Sequence, residues 1–216
     1  MKKILAIGAH PDDIEFGCGG TILKHKSNGD FIVYLCMTGT QALDGVSGKV
    51  LRTKEQNYQE TYKASQVLKV DKLEKLNFQD LHIPFSFESV SQIDKIVNKY
   101  KIDTIYTHWA GDANQDHIAT FKATMAAARY VPNVFCYEQI PIPRLYEHHM
   151  DINYYVDITK HLDNKIKASK CHKSQLEKYS KAGFNIENNL KKLAEFRGIQ
   201  VQCKYAEGFK VIKQLQ

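Results

Sequence analysis

The sequence predicts an α/β protein, with a mostly parallel sheet and helices on both of its faces. Three observations carry that reading. Short apolar runs of strand length recur along the chain, beginning with Ile4-Leu5-Ala6-Ile7-Gly8. In the first 140 residues they alternate with longer helix-like stretches, the order that builds βαβ units. Polar clusters directly follow two of the runs, at Ala9-His10-Pro11-Asp12-Asp13-Ile14-Glu15 and from Thr107-His108-Trp109 to Asn114-Gln115-Asp116-His117. Sheets of this class carry their sites at the carboxyl ends of strands.

Taken in order, residues 3–9 read as a buried first strand. A helix follows over 17–28, opening on Gly17, Gly19 and Gly20, which let it start close to the sheet with its positive end near the acidic cluster. Ile22 stands where a dinucleotide fingerprint needs glycine, so a nicotinamide site is not expected. A strand over 31–38 leads into residues 39–50, a loop with Gly39, Gly45 and Gly48 that is either a lid or a plain surface connection. Next come a helix over 52–69, a strand over 72–77 and an irregular stretch from Asn77 to Ser86. A helix over 87–100, a strand over 103–108, a helix over 116–130 and a strand over 133–138 continue the alternation. Residues 139–152 are kept extended by Pro141 and Pro143 and also carry Arg144, His148 and His149; this stretch either walls the pocket or packs on a second subunit. Strands over 153–158 and 205–213, with helices over 160–179 and 186–197, break the pattern, so the last strands are expected antiparallel at an edge. No repeat or linker divides the chain, and residues 1–216 read as one domain.

Composition narrows the class. With 43% hydrophobic and 25% charged residues the chain is an ordinary globular one. No apolar run approaches the roughly 20 residues that cross a bilayer. The start imitates a signal peptide until Asp12 and Asp13 interrupt it, so no stable membrane insertion is expected. The five cysteines, at 18, 36, 136, 171 and 203, are odd in number and form no C-x-x-C pair, which argues for reduced thiols in a cytoplasm. Cys36 and Cys136 read as core, and Cys18 as a small packed residue. A net charge of +6 fits an anionic substrate. Nucleic acid is not expected as a partner, because the lysines are scattered and many lie on helix-like faces in 160–192.

The first polar cluster brings His10 together with Asp12, Asp13 and Glu15. Beyond an ordinary Pro-Asp turn, so many carboxylates at one strand end call for a cation among them. His10 and Asp13, three apart in a tight loop, can face one point, and His117 is the best third ligand. Two histidines and one aspartate are a set used by catalytic Zn²⁺ with an open position, or by Fe²⁺. Asp12 is left free to take a proton from water. His108 ends a strand and either lines the site or packs, while His25 and His161 read as exposed on helix faces. His148 and His149 are adjacent and read as surface residues. By spacing alone His172 would also be a surface residue, with Gln175 facing the same way.

These residues resemble the PIG-L/LmbE family of zinc-dependent N-deacetylases. The resemblance rests on Ala9-His10-Pro11-Asp12-Asp13 with Glu15, and on Asp116-His117 after a later strand. Weaker support comes from Gly17-Cys18-Gly19-Gly20-Thr21, from Arg52 and Glu55 on the helix through Ala64 and Leu68, from His172-Lys173-Ser174-Gln175, and from Tyr205-Ala206-Glu207-Gly208-Phe209. It covers essentially the whole chain. It implies a Rossmann-like three-layer α/β/α fold, metal ligands His10, Asp13 and His117, Asp12 as general base and Arg52 on the substrate. Where many members carry a second histidine three residues before the ligand, this chain has Asn114. Asn114 can donate to an oxyanion but cannot shuttle a proton. The acid role then falls to His108, to His172 or to Asp12 acting twice, and Asp116 is left to hold Asn114 or another donor. Asp80 either touches a sugar hydroxyl or is a solvated loop residue.

The implied reaction is removal of the acetyl group from an N-acetylamino sugar, free, nucleotide-linked or lipid-linked, or from a thiol-precursor sugar conjugate. A metal-binding protein without hydrolase activity is the alternative, as is an Fe²⁺ oxygenase, whose usual β-sandwich this chain does not resemble. A homo-oligomer is left open.

Overall fold

A computed structural model describes residues 1–43, 47–140 and 150–215. Gly45, Pro141, Pro143, Arg144, His148 and His149 lie outside the described residues. The strands are β1 (Lys3–Gly8), β2 (Phe31–Thr38), β3 (Ala42–Leu43), β4 (Val50–Arg52), β5 (Lys72–Phe78), β6 (Thr104–Thr107), β7 (Asn133–Tyr137), β8 (Tyr154–Asp157) and β9 (Ala206–Lys213). The helices are α1 (Asp13–Ser27), α2 (Lys54–Leu68), α3 (Phe87–Tyr100), α4 (Gln115–Ala127), α5 (Leu162–Ser169), α6 (Lys173–Lys181) and α7 (Ile186–Gln200).

Seven strands form one sheet in the order β5-β2-β1-β6-β7-β9-β8. The first five in that order are parallel, while β9 runs antiparallel to both β7 and β8. The fold is the expected α/β one, with the break in alternation at the far edge. Its physical basis is legible in β1 and β2, which are apolar on both faces. Ile4 and Ala6, with Ile32, Tyr34 and Cys36, feed one core that includes α1, α5 and α7. Leu5 and Ile7, with Val33, Leu35 and Met37, feed the other, under α3 and α4. Neighbouring side chains on a strand point to opposite faces, so nearly continuous apolar runs are what a sheet covered on both sides requires.

The chain leaves β1 toward β2 on one side and later returns to place β6 on the other. The gap between the carboxyl ends of β1 and β6 is therefore a switch point, where open α/β sheets leave a crevice.

Several boundaries differ from the sequence reading. The first helix starts at Asp13, not at Gly17, so Asp13 and Glu15 are helical residues. Its φ/ψ values leave the helical region at Cys18, which frees the Gly20 and Thr21 amides from their helical partners. The buried Glu207 carboxylate on β9 accepts from both, at 2.9 and 2.7 Å, and Lys165 of α5 offsets its charge. Gly17 and Gly20 allow this helix to lie close: a Cβ would stand 2.2 Å from the Tyr137 ring and 2.8 Å from Ile158, respectively. Arg52 does not begin a helix. It ends β4, and Thr53 then caps α2 through a reciprocal pair with Gln56. The stretch read as one helix over 160–179 is two, α5 and α6, with His172 at the break. His25 is half-buried between Asp30 and the Tyr106 hydroxyl instead of facing solvent. No helix among the described residues is long and apolar enough to cross a membrane.

Candidate metal centre

The first cluster follows β1 directly. Ala9 is pinned from β2, since the Thr38 amide and hydroxyl each donate to its carbonyl at 3.0 Å. Pro11 then turns the chain, and Asp12 takes a left-handed conformation, φ 105°, before α1 begins. A non-glycine residue there is strained by about 1–3 kcal/mol, a cost tolerated mostly at functional positions. The second cluster follows β6 and runs into α4, where the Asn114 side chain caps the helix by accepting from the Asp116 amide at 2.9 Å.

The two clusters meet. His10 Nδ1 lies 3.3 Å from His117 Nε2 and 3.6 Å from Asp13 Oδ2, and His117 Nε2 lies 3.4 Å from Asp13 Oδ1. These three residues can aim ligand atoms at one point, all within 4.8 Å of one another. The other ring nitrogen of each histidine meets a carboxylate. His117 Nδ1 is 2.8 Å from Asp112, while His10 Nε2 is 2.9 Å from Asp116 and 3.1 Å from Asp80. Carboxylates behind ligating histidines fix ring orientation and raise basicity. Two other groupings, His108 with Asp112 and His117, and His10 with Asp80 and Asp116, also come close enough for an ion. They are built largely from these bracing contacts.

Electrostatics show that this donor set wants positive charge. Burial opposes a charged His10, yet hydrogen bonds with Asp116, Asp13 and Asp80 outweigh it and hold the pKa well above its usual value. Burial likewise opposes a charged His117, but Asp13 and Asp112 lift it to about 9. Asp13 is held well below the usual carboxylate range: His117 and His108 overcome its burial. The three carboxylates around His10 and the pair around His117 therefore favour a cation among them, and a divalent ion would supply that charge. The residues therefore fit a divalent metal by donor type, convergence and charge.

Asp12 is held apart from this cluster. It is 6% exposed, and its side chain makes no capping hydrogen bond to α1 although it stands at the N-cap. Burial and the neighbouring Asp13 charge raise its pKa to about 7, against the pull of His172, Arg52 and His10. His108 is fully buried, stacked on His117 at 3.9 Å between ring centroids, and 3.0 Å from the Ala9 amide. Burial and His117 lower its pKa to about 4, so it is neutral near pH 7.

Sequence reasoning missed several contributors. Asp116 does not hold the Asn114 side chain: its carboxylate accepts from the Leu81 and Ile83 amides at 2.7 and 3.1 Å as well as bracing His10. That clamp draws in the loop after β5 and puts Asp80 against His10, so Asp80 is not simply a solvated residue. Gln139, just past β7, donates to Asp13 Oδ1 at 2.9 Å. The signal for Asp80 and Gln139 was their position, the polar residues following parallel strands. The positive charges that act most on Asp12 come from His172 and Arg52, on other elements. His172 is 0% exposed and lies 3.4 Å from Glu15, while Arg52 is 2% exposed and pairs with Glu60 at 3.4 Å. The Glu55 side chain is on the outer face of α2, accepting from Gln59.

Comparison with known proteins agrees with this geometry. The family model described as PIG-L, GlcNAc-PI de-N-acetylase, matches residues 5–128, a span that includes both clusters. The chain is 33% identical over 145 residues to the uncharacterized deacetylase YaiS of Escherichia coli K12, covering 63% of this chain and 74% of that protein. It is 27% identical over 229 residues to the diacetylchitobiose deacetylase of Thermococcus kodakarensis, covering 98% and 84% respectively. Among solved structures, the N,N'-diacetylchitobiose deacetylase of Pyrococcus horikoshii superposes with a TM-score of 0.77 at 27% identity, over 98% of this chain and 84% of that one. A 4-carboxy-2-hydroxymuconate hydratase, GalB of Pseudomonas putida, reaches 0.83 at 20% identity, over 100% and 98%, and speaks for the fold alone. With more than half of the chain matched, and both polar clusters inside the match, this protein belongs to the PIG-L family.

Proposed function

We propose that the protein is a metal-dependent N-deacetylase acting on an N-acetylamino sugar, with zinc as the expected metal. The observation that carries the reading is a strained, nearly buried Asp12 whose carboxylate is not used to cap α1, next in the chain to one of three residues whose ligand atoms converge. A site that only stored metal would have no need of that carboxylate. His10, Asp13 and His117 would hold the ion, which when bound supplies Lewis acidity to water and to the amide carbonyl. Asp12 then accepts a proton from water, and the water oxygen adds to the carbonyl carbon. The Asn114 amide is suited to donate to the carbonyl oxygen as it gains charge. Asp12 returns the proton to the nitrogen as the C–N bond breaks, giving acetate and a free amino sugar. The low pKa of His108 and the sealed position of His172 favour Asp12 serving in both proton steps.

The substrate class rests on the relatives, one of which is named for diacetylchitobiose. The charge of +6 favours a substrate carrying phosphate, nucleotide or another anion. Asp12→Asn tests the assignment. The variant should bind zinc as the parent does and lose about 10²–10⁴-fold in kcat. Full activity in that variant would refute Asp12 as the base.

A further inference from the structure

Gln139 stands just past β7 and donates from Nε2 to Asp13 Oδ1 at 2.9 Å. An ionised carboxylate only accepts, so this contact fixes which end of the amide faces Asp13. The other end, Oε1, is buried and has no hydrogen-bond partner among the described residues. A buried acceptor left unpaired lowers stability. Methionine would fill much the same space without that loss, so packing alone does not account for a glutamine here. The contact with Asp13 is what the amide provides.

The chain on either side of Gln139 is held. The Glu138 amide donates to the Gly208 carbonyl of β9 at 3.3 Å, and the Glu138 carboxylate accepts from Arg197 Nε of α7 at 2.8 Å. Ile140 is 3% exposed and packs with Phe16, Ile186 and Leu190. With one neighbour tied to β9 and α7 and the other sunk in a core cluster, Gln139 reaches Asp13 from a fixed stretch of chain. Such support is what holds a ligand residue in one geometry.

The contact also completes a set of donors around one carboxylate. Asp13 Oδ2 accepts from the His10 amide at 2.7 Å and lies 3.1 Å from His108 Nε2. Those two contacts come from the ends of β1 and β6. Gln139 adds the end of β7 and engages the other oxygen, Oδ1, which lies 3.4 Å from His117 Nε2. The donor is uncharged, and that matters. A lysine or arginine at this place would offset the negative charge that draws a cation, whereas an amide orients the carboxylate and leaves its charge in place.

We infer that Gln139 is a positioning residue, which orients the Asp13 carboxylate for a divalent metal. The inference rests on the metal-dependent reading of this site, but not on the identity of the substrate.

The test compares the parent with Gln139→Met and Gln139→His. Zinc affinity is measured by competition with a chelator, and the stability of the metal-free proteins by the midpoint of urea unfolding. Gln139→Met, of similar length and without a donor, should bind zinc about 10- to 100-fold more weakly. Its metal-free midpoint should be unchanged or higher, because the unpaired Oε1 is removed together with the donor. Gln139→His, whose ring N–H reaches about as far as the glutamine amide, should recover most of the affinity. Three results would overturn the inference: zinc affinity in Gln139→Met equal to the parent's, a loss of affinity matched by a loss of metal-free stability, or no recovery in Gln139→His. A Gln139→Met protein that does not fold would also overturn it, by showing the residue to be structural. A parent protein that binds no divalent ion would instead defeat the metal-dependent reading itself, a result distinct from a parent and a methionine variant that bind zinc equally well.

Discussion

On the proposed reading, Asp12 and its neighbours His10 and Asp13 divide two incompatible tasks within four residues. His10 and Asp13 face inward to a common point with His117, while the left-handed turn at Asp12 sends its carboxylate elsewhere. The protonation of these groups predicts how metal binding depends on pH. His117 sits near pKa 9 because Asp13 and Asp112 outweigh its burial. Between pH 6 and 9 its proton must leave before it can act as a ligand, so zinc affinity should fall as pH is lowered. Competition with a chelator at several pH values checks this, and a pH-independent affinity would contradict it. His117→Ala should abolish stoichiometric binding. The convergence of His10, Asp13 and His117 was legible in the sequence because His10 and Asp13 are close in the chain and His117 repeats the pattern of polar residues after a strand. Asp80 was read only as a sugar contact or a solvated loop residue, and Gln139 was not singled out, because each reaches the centre by tertiary contact from a different strand end.

At the scale of elements, α1 is the part most dependent on long-range support. It carries Asp13 and Glu15, breaks at Cys18, and is held at the break by Glu207 from the last strand. The sequence shows three glycines there but not the break, since nothing local indicates that a carboxylate nearly 190 positions away will cap it. The Glu207–Lys165 pair is buried, so removing one partner strands the other. Glu207→Leu should destabilise by about 3–5 kcal/mol, and adding Lys165→Met should recover much of that loss. Urea denaturation of the two variants decides the matter, and equal losses in both would show that the pair is not coupled. The split of the expected 160–179 helix follows a similar logic. Its composition is helical throughout, but His172 is drawn into the interior toward Glu15, and the chain restarts as α6.

Over the whole molecule, the two ends of the parallel strands have different roles. The carboxyl ends of β1, β5, β6 and β7 are followed by Asp12, Asp80, His108 and Gln139, so the site is assembled at the carboxyl end of the sheet. The opposite end is tied for stability: Asp30 accepts from the Lys2 amide at 2.7 Å and meets His25 at 2.7 Å. Its pKa lies below the usual 3.8, with the His25 and Lys2 hydrogen bonds overcoming burial. A lowered carboxylate pKa gives stability that is present above 3.8 and lost as pH falls through the folded-state value. The stability gap between the parent and Asp30→Asn should therefore narrow as pH falls below 3.8. A gap that stays constant through acid would rule out this contribution. The layered α/β arrangement was readable from doubly apolar strands and their alternation with helices. The hairpin of β3 and β4 was not, because so short a pair leaves no periodic trace.

The central claim is that the site at the carboxyl end of the sheet removes acetyl groups with a bound metal. The direct measurement is acetate release across a panel of N-acetyl sugars, nucleotide sugars and sugar conjugates, comparing zinc-loaded protein with metal-stripped protein. A deacetylase of this design should release acetate from at least one member, only when loaded, with about one zinc per chain. Release that is equal with and without metal, or no release from any member by zinc-bound protein, would contradict the claim.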